Sequence, residues 1–268
     1  MWKIIYKEFF ITVKSRFHYI VGIFVLGIAV LSLYGIYNTL FNSDAASDYA
    51  IFQMVNDNNN AFLDYAAEII SGNFLSLFVA ISVPVIVCEA YANGYIKNIY
   101  NLSRQKRYYA IGKLVSIFCV LFFYIILTLL ATGISGFTMF DFSGIGSVKK
   151  YIEFSMLHIL CNVSFGCVIM FISELFRKVS VSMISGILYV VMLCDLVYQL
   201  INSLVFRLTN VKFDVSHYTV MGNMTNLTMN SGKEDVVRTV LVAVIYMIVF
   251  STLTQILFLK RDVNCNEK

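Results

Sequence analysis

Residues Val87 to Lys113 read VCEAYANGYIKNIYNLSRQKRYYAIGK and connect two long apolar runs. After Glu89 the stretch contains five lysines and arginines, no acidic residue and several tyrosines. Because short loops rich in Lys and Arg stay on the cytoplasmic side of a membrane, the pattern predicts a cytoplasmic connection between two spans. Tyrosines at the lipid headgroups and cations facing water are typical of a short amphipathic helix that docks on a soluble partner.

The composition of the chain excludes an ordinary soluble domain. Hydrophobic residues make up 59% of the 268 residues, charged residues make up 13%, and the mean hydropathy is +0.77. Soluble proteins carry about 25% charged residues. Spans need about 20 apolar residues each, so the chain has room for five or six of them. We therefore expect an all-α polytopic membrane protein that forms a single domain over residues 1–268.

The apolar runs predict six transmembrane helices with both termini cytoplasmic. An amino-terminal in-plane amphipathic helix would precede them, although a simple basic flank also fits this segment. The third span is almost uniformly apolar, which predicts that it faces lipid. Only six of the 20 lysines and arginines fall in the segments placed outside, and this bias supports the orientation. The predicted boundaries are 1–18 for the interfacial helix; 19–41, 69–88, 114–137, 151–173, 181–202 and 237–259 for the spans; 89–113 for the cytoplasmic coupling region; and 204–236 for the outer segment.

Polar residues inside two predicted spans are the candidate pathway residues. Asp195 lies near the middle of the fifth span, and Gln199 and Asn202 follow it on the same helical face. His158 and Asn162 lie one turn apart on the fourth span. Ionisable residues at this depth mark functional sites by default. The two stripes could line a translocation pathway, form buried polar contacts across a helix or subunit interface, or place Asp195 and His158 in a proton relay.

Motifs for metal binding and catalysis are missing from the sequence. The chain contains no Cys/His cluster with metal-ligand spacing, no Walker A loop and no nucleophile elbow. We therefore expect no metal site, no bound cofactor and no catalytic residue in this chain.

The run from Glu89 to Lys113 resembles the signature of ABC exporter permeases of the second membrane-domain type. In that family a glutamate ends the second span, a glycine and a lysine follow, then a Ser-Arg pair, and a Gly-Lys pair opens the third span. The matching residues are Glu89, Gly94, Lys97, Ser103, Arg104, Gly112 and Lys113. The family plan of an in-plane helix and six spans is also similar. Two departures are Asn101-Leu102 where a proline is often found and Tyr95 where a small hydroxyl residue is common.

The resemblance implies a coupling helix within Gly94 to Tyr109 that docks on a separate ABC ATPase subunit. The docking residues implied are Glu89, Gly94, Lys97, Ser103, Arg104, Arg107 and Lys113. The ATPase dimer would bind ATP and Mg, and a second permease chain, identical or related, would complete the pathway. The implied protein is a non-enzymatic export subunit in a bacterial plasma membrane, with no nucleic-acid partner, and its substrate is a peptide, an antimicrobial or a lipid-like molecule. The alternative is an ATP-independent carrier or channel that uses Asp195 and His158, and a membrane-embedded enzyme or assembly factor is a third reading.

Overall fold

The computed structural model of the chain describes residues 2–41, 62–71, 74–94, 96, 106–139, 145–209 and 214–260. Every regular element within these residues is helical, so the all-α prediction is confirmed for this part of the chain. The α-helices are α1 Trp2–Lys14, α2 Arg16–Phe41, α3 Phe62–Ser71, α4 Phe74–Ala92, α5 Tyr109–Met139, α6 Val148–Phe176, α7 Val179–Leu188, α8 Cys194–Thr209, α9 Val220–Asn226 and α10 Lys233–Lys260. Short 3-10 turns cover Lys106–Tyr108 and Val215–Tyr218, and Tyr189–Leu193 is π-helical.

Five stretches of the described residues are long and apolar enough to cross a membrane. They are Arg16–Gly35, Phe74–Ala92, Lys106–Ser135, Val148–Phe176 and Lys233–Lys260. These stretches correspond to the first, second, third, fourth and sixth predicted spans, and they show the character of a multi-pass membrane protein. The in-plane placement of α1 and the orientation of the termini stay predictions.

The region of the fifth predicted span is divided into α7, the π-helical turn and α8. Its apolar part, Val179–Val191, is shorter than the five spanning stretches. The run begins beside Arg177 at the carboxyl end of α6. Farther along the chain, Asn230 accepts a hydrogen bond of 2.9 Å from Lys150 in the first turn of α6. The chain between residues 178 and 230 therefore connects the two ends of α6, while a sixth membrane span stays a prediction.

Helix α6 lies at the centre of the bundle. It packs against α4, α5 and α10, and α4 also contacts α7. Helices α1 and α2 pack on α5. The prediction that the third span faces lipid is wrong for one side of α5, because Ile117, Leu121 and Tyr124 on that side are buried in the main apolar cluster. Apolar packing on several sides is what fixes α5 and α6 relative to their neighbours.

The bundle has two ends that differ in the chain segments they carry. We call the end with Tyr91, Tyr109 and Glu174 the basic end, because α4 ends and α5 begins there, on either side of the basic segment 95–105 of the sequence. We call the end with Lys150 and Asn230 the far end.

Candidate functional site

The carboxylate of Glu174 binds both boundaries of the basic segment. The hydroxyl of Tyr91, in the last turn of α4, donates to Oε1 of Glu174. The hydroxyl of Tyr109, the first residue of α5, donates to Oε2 over 3.4 Å. Glu174 is 0% exposed. One buried carboxylate on the central helix therefore connects the two points at which the basic segment joins the bundle.

Arg177 provides the opposing charge for this buried carboxylate. Its Nη2 lies 3.4 Å from Oε1 of Glu174, and its guanidinium lies over the ring of Tyr91 at 4.7 Å. Its backbone has φ of 53°, and its N–H donates to the carbonyl of Ser173, so it caps α6 in the left-handed conformation. Burying a carboxylate is costly unless it is paired and hydrogen-bonded, and these partners together meet that condition.

Helix α10 holds the start of α5 in place. The side-chain Oε1 of Gln255 accepts from the backbone N–H of Ala110 at 3.1 Å, and its Nε2 donates to the carbonyl of Lys106 at 2.8 Å. The ring of Phe258 stacks on Tyr109 with centroids 4.1 Å apart. A single glutamine thereby satisfies two backbone groups at a helix start, where backbone groups otherwise lack partners.

A second buried ion pair lies at the basic end. Nζ of Lys113 is 2.7 Å from Oε2 of Glu8 and donates to the carbonyl of Ile86 at 2.8 Å. The side chains of Lys113 and Glu8 are 3% and 2% exposed. Lys113, which the sequence motif places among the docking residues, therefore joins α1 to α4 and α5 and presents no charge at the surface.

The other residues of the motif have different surroundings. Glu89 is half-buried in the last turns of α4, and Arg107 is exposed. Gly94 follows α4 with φ of 65°, in the left-handed region that favours glycine. Lys97, Ser103 and Arg104 lie outside the described residues. The geometry therefore brings together the boundaries of the predicted coupling region.

Inside the bundle, Asn162 is the centre of a polar contact between three helices. Its Oδ1 accepts from the hydroxyl of Ser76 on α4 at 3.0 Å, and its Nδ2 lies 3.3 Å from the sulfur of Met224 on α9. Its Nδ2 also donates to the carbonyl of His158 at 2.9 Å. His158 is 0% exposed beside Phe154, and neither of its ring nitrogens has a hydrogen-bond partner in the described part of the chain.

Helix α9 is buried although it belongs to the predicted outer segment. Val220 to Met224 are all buried, and Met224 reaches the level of Asn162, halfway along α6. Asn223 accepts a hydrogen bond of 3.2 Å from Nε of Arg238 on α10. A short non-spanning helix is tolerated at this depth only where protein surrounds it, and the neighbouring helices α6 and α10 fulfil that condition.

The predicted stripe on the fifth span has other partners. Asn202 accepts from the N–H of Val215 at 2.9 Å and donates to Asp214 at 3.4 Å. Hydrogen bonds from Ser216 keep the pKa of Asp214 below its ordinary value. Gln199 is exposed, and the side chain of Asp195 lies outside the described residues. The described contacts therefore place Asn202 at the loop that leads into α9, away from Asn162.

Glu174 and Glu8 are two charged residues of the site that sequence reasoning did not select. The pair Glu174 and Arg177, three residues apart at the end of an apolar run, was the available signal for the first. Tyr91 and Tyr109 also frame the basic segment, but tyrosines at a span end fit an interfacial position equally well. Glu8 is a lone acid among the basic residues of segment 1–18. Its burial depends on the distant Lys113, so it could not be predicted from the neighbouring residues.

No protein-family model matches this chain, and no curated protein is similar to it. Within the described residues, no group of three or more His, Cys, Asp or Glu side chains could hold a metal ion. A proposal about function therefore depends on the geometry of the basic end and of the Asn162 contact.

Proposed function

We propose that this chain is the membrane permease subunit of an ATP-driven exporter, coupled to a separate ATPase that binds the basic segment. The observation that carries the proposal is the shared carboxylate of Glu174, which receives hydrogen bonds from Tyr91 and Tyr109 at the two boundaries of that segment. A segment attached in this way can transmit a displacement to the central helix α6. The exposed cation of Arg107 beside this attachment is available to a soluble partner.

Transmission would follow the packed helices. A pull on the basic segment acts on α4 through Tyr91, on α5 through Tyr109 and on α10 through Gln255. Energetic coupling over such distances is carried by packed side chains and hydrogen-bond networks between rigid elements. ATP and Mg would be bound by the ATPase dimer, and a second permease chain would complete the pathway. In this proposal the basic end faces the cytoplasm of a bacterial cell.

The Asn162 contact is the proposed part of the pathway within this chain. Polar side chains inside a membrane bundle mark substrate paths, and Asn162, Ser76 and Met224 meet where α9 enters the bundle. Displacement of α9 would expose these groups together with His158, whose ring nitrogens have no hydrogen-bond partner among the described residues. The mixture of amide, thioether and apolar surface suits an amphipathic substrate, such as a peptide or a lipid-like molecule.

The test is to purify the tagged chain from its native membranes in mild detergent and identify the co-purifying proteins by mass spectrometry. We expect an ATPase with a Walker A loop in stoichiometric amount. Arg107→Glu should lower its recovery about tenfold, since a reversed rim charge weakens a complementary interface. Lys149→Glu is the matched control, because Lys149 is an exposed cation at the far end. Absence of any ATPase, or equal recovery from both variants, would overturn the proposal.

Coupling can be measured separately from docking. Glu174→Gln keeps the shape of the side chain but removes the charged acceptor, so the ATPase should still bind while ATP turnover of the complex falls several-fold. Turnover identical to that of the wild-type complex would show that Glu174 does not transmit movement.

A second candidate function is an ATP-independent carrier. It is favoured by the buried His158, whose two ring nitrogens have no partner in the part of the chain that the structure describes. In proteoliposomes that contain this chain alone, a carrier would use a proton gradient to drive transport of a fluorescent amphipathic cation. His158→Phe would abolish this flux. His217→Phe is the control, because the His217 side chain is 41% exposed at the loop before α9. Flux that needs added ATPase and ATP would exclude this candidate.

A further inference from the structure

A cavity with several charged and polar residues in its lining lies at the basic end between α1, α4 and the start of α5. Its volume is about 230 Å³, which is room for more than one water molecule. Among its lining residues are Glu8, Glu89, Lys113, Asn93 and His18. Two carboxylates and one ammonium give these charged groups a net negative sum, so the cavity favours a cationic group.

Two residues of the lining, Glu8 and His18, have buried polar atoms without a hydrogen-bond partner among the described residues. Oε2 of Glu8 is taken by Lys113, while Oε1 is buried and has no partner among the described residues. Nδ1 of His18 is likewise buried and unpartnered in the described structure. Glu8 is 1% exposed and His18 is 5% exposed. Buried polar atoms are nearly always hydrogen-bonded in native proteins. Oε1 of Glu8 can therefore accept a further hydrogen bond, and Nδ1 of His18 can accept one when the ring proton is on Nε2.

An apolar groove adjoins the cavity and shares Thr12 and His18 with it. The groove has a volume of about 260 Å³ and is lined mainly by aromatic and aliphatic side chains of α1 and α5, among them Phe9, Phe118 and Phe122. These three side chains are 41 to 48% exposed on the surface of a membrane protein. Their exposed side is therefore open to lipid tails.

We propose that the cavity and the groove form one binding site for a primary-amine phospholipid of the leaflet at the basic end, such as phosphatidylethanolamine. Its ammonium group lies in the cavity, and one acyl chain lies in the groove. An ammonium has three N–H donors. Glu8, Glu89 and His18 line the space, and we assign Oε1 of Glu8, the carboxylate of Glu89 and Nδ1 of His18 as the acceptors.

The chemistry distinguishes this lipid from the others in a bilayer. A choline headgroup has no N–H donor and would leave the buried Glu8 and His18 acceptors unpaired. An anionic glycerol headgroup meets a net negative cavity and is repelled.

The site lies against the Glu8–Lys113 pair that joins α1 to α5, so the bound lipid stabilises the packing of α1. The inference requires a membrane-embedded chain but no ATPase, so it stands or falls independently of the exporter proposal.

The experiment is native mass spectrometry of the purified full-length chain. The protein is released from mixed micelles that contain equal amounts of phosphatidylethanolamine, its mono- and dimethyl derivatives, phosphatidylcholine and phosphatidylglycerol. We expect retention of phosphatidylethanolamine about tenfold above phosphatidylcholine, decreasing stepwise with each N-methyl group, because each one removes a donor. Equal retention across the methylation series, or preferred retention of phosphatidylglycerol, would overturn the proposal. This comparison uses the unmodified chain and does not depend on whether a variant folds.

Two further measurements locate the site. Glu89→Gln should reduce the preference at least threefold, whereas Glu153→Gln, an exposed carboxylate on α6, should leave it unchanged. Phosphatidylethanolamine with a photoreactive diazirine in its acyl chain should label peptides that contain Phe9 or Phe118 to Phe123. An unaltered preference in Glu89→Gln, or labelling confined to other helices, would contradict the assignment.

Discussion

At the residue scale, Glu174 joins three parts of the chain that are far apart in sequence. Tyr91 is 83 residues away and Tyr109 is 65 residues away. A carboxylate removed from water is stable only with several partners, and here two hydroxyls and Arg177 supply them. The same requirement makes each partner energetically important, because loss of one leaves a charged oxygen buried without a donor.

Tyr91→Phe should lower the free energy of unfolding by about 2 kcal/mol, because a hydrogen bond to a buried charged group is lost without a change in shape. Thermal unfolding in detergent micelles would measure it. Tyr6→Phe is the matched control, since Tyr6 is 69% exposed. Equal melting temperatures for the two variants would contradict the described role of Tyr91.

Lys113→Met should destabilise the protein by about 3–5 kcal/mol, because it leaves the Glu8 carboxylate buried without its ion-pair partner. The double variant Glu8→Gln with Lys113→Met removes both charges and should recover at least half of that loss. The same unfolding assay measures both proteins. If the double variant were less stable than Lys113→Met alone, the coupling between the two residues would be disproved.

At the element scale, glycine determines how closely α6 approaches α5. A Cβ placed on Gly166 would lie 2.9 Å from Cγ2 of Ile117 on α5 and 3.6 Å from Val79 and Val83 on α4. These neighbours belong to the buried core, where a displaced side chain has little room to move. The close contact of α4, α5 and α6 therefore depends on a residue without a side chain.

Gly166→Ala should destabilise the bundle by about 1–3 kcal/mol, which is the usual cost of overpacking a core. Gly27→Ala is the control, because a Cβ there meets nothing within 4 Å. Its higher helix propensity should raise stability by up to about 1 kcal/mol. Melting temperatures of the two variants that move in the same direction would contradict this account of the packing.

The helices themselves were largely predictable, and the length of segment 204–236 predicts one or two short interfacial helices there, whereas the burial of α9 was not predictable. Long apolar runs predict membrane spans such as those at α5 and α10, because the ability to cross a membrane depends on local composition. Helix α9 has only seven residues, VMGNMTN, and carries no strong periodic signal. Its burial comes from contacts with Asn162 on α6 and Arg238 on α10. Such contacts exist only once the surrounding helices have assembled.

At the scale of the whole molecule, the described contacts assign the two ends of the bundle. Gln255 and Phe258 bring the end of α10 to Tyr109 and Glu174, while Lys150 holds Asn230 at the opposite end of α6. The chain from residue 179 to residue 230 passes between these ends, although its apolar part is short. The predicted six-span topology requires this passage to cross the membrane.

Topology can be tested with single cysteines at Ser103 and Asn230 in a variant that lacks the six natural cysteines. A membrane-impermeant maleimide should label the cysteine at position 230 in intact cells. The cysteine at position 103 should be labelled only after permeabilisation, since its basic surroundings keep it inside. Labelling of both positions from the same side would contradict a crossing between residues 179 and 209, and labelling of position 103 from outside would reverse the orientation.

The sequence by itself determined that this protein is helical, that its composition suits a membrane, and where five helices lie that are long and apolar enough to cross one. These properties depend on runs of neighbouring residues. A helix forms its backbone hydrogen bonds within one segment, and the apolar composition of that segment makes the bilayer its favoured environment. The tertiary structure alone decided that Glu174 binds both boundaries of the basic segment, that Glu8 pairs with Lys113, and that α9 reaches Asn162. Those contacts join residues at least 62 positions apart, and only the packing of whole helices brings them together.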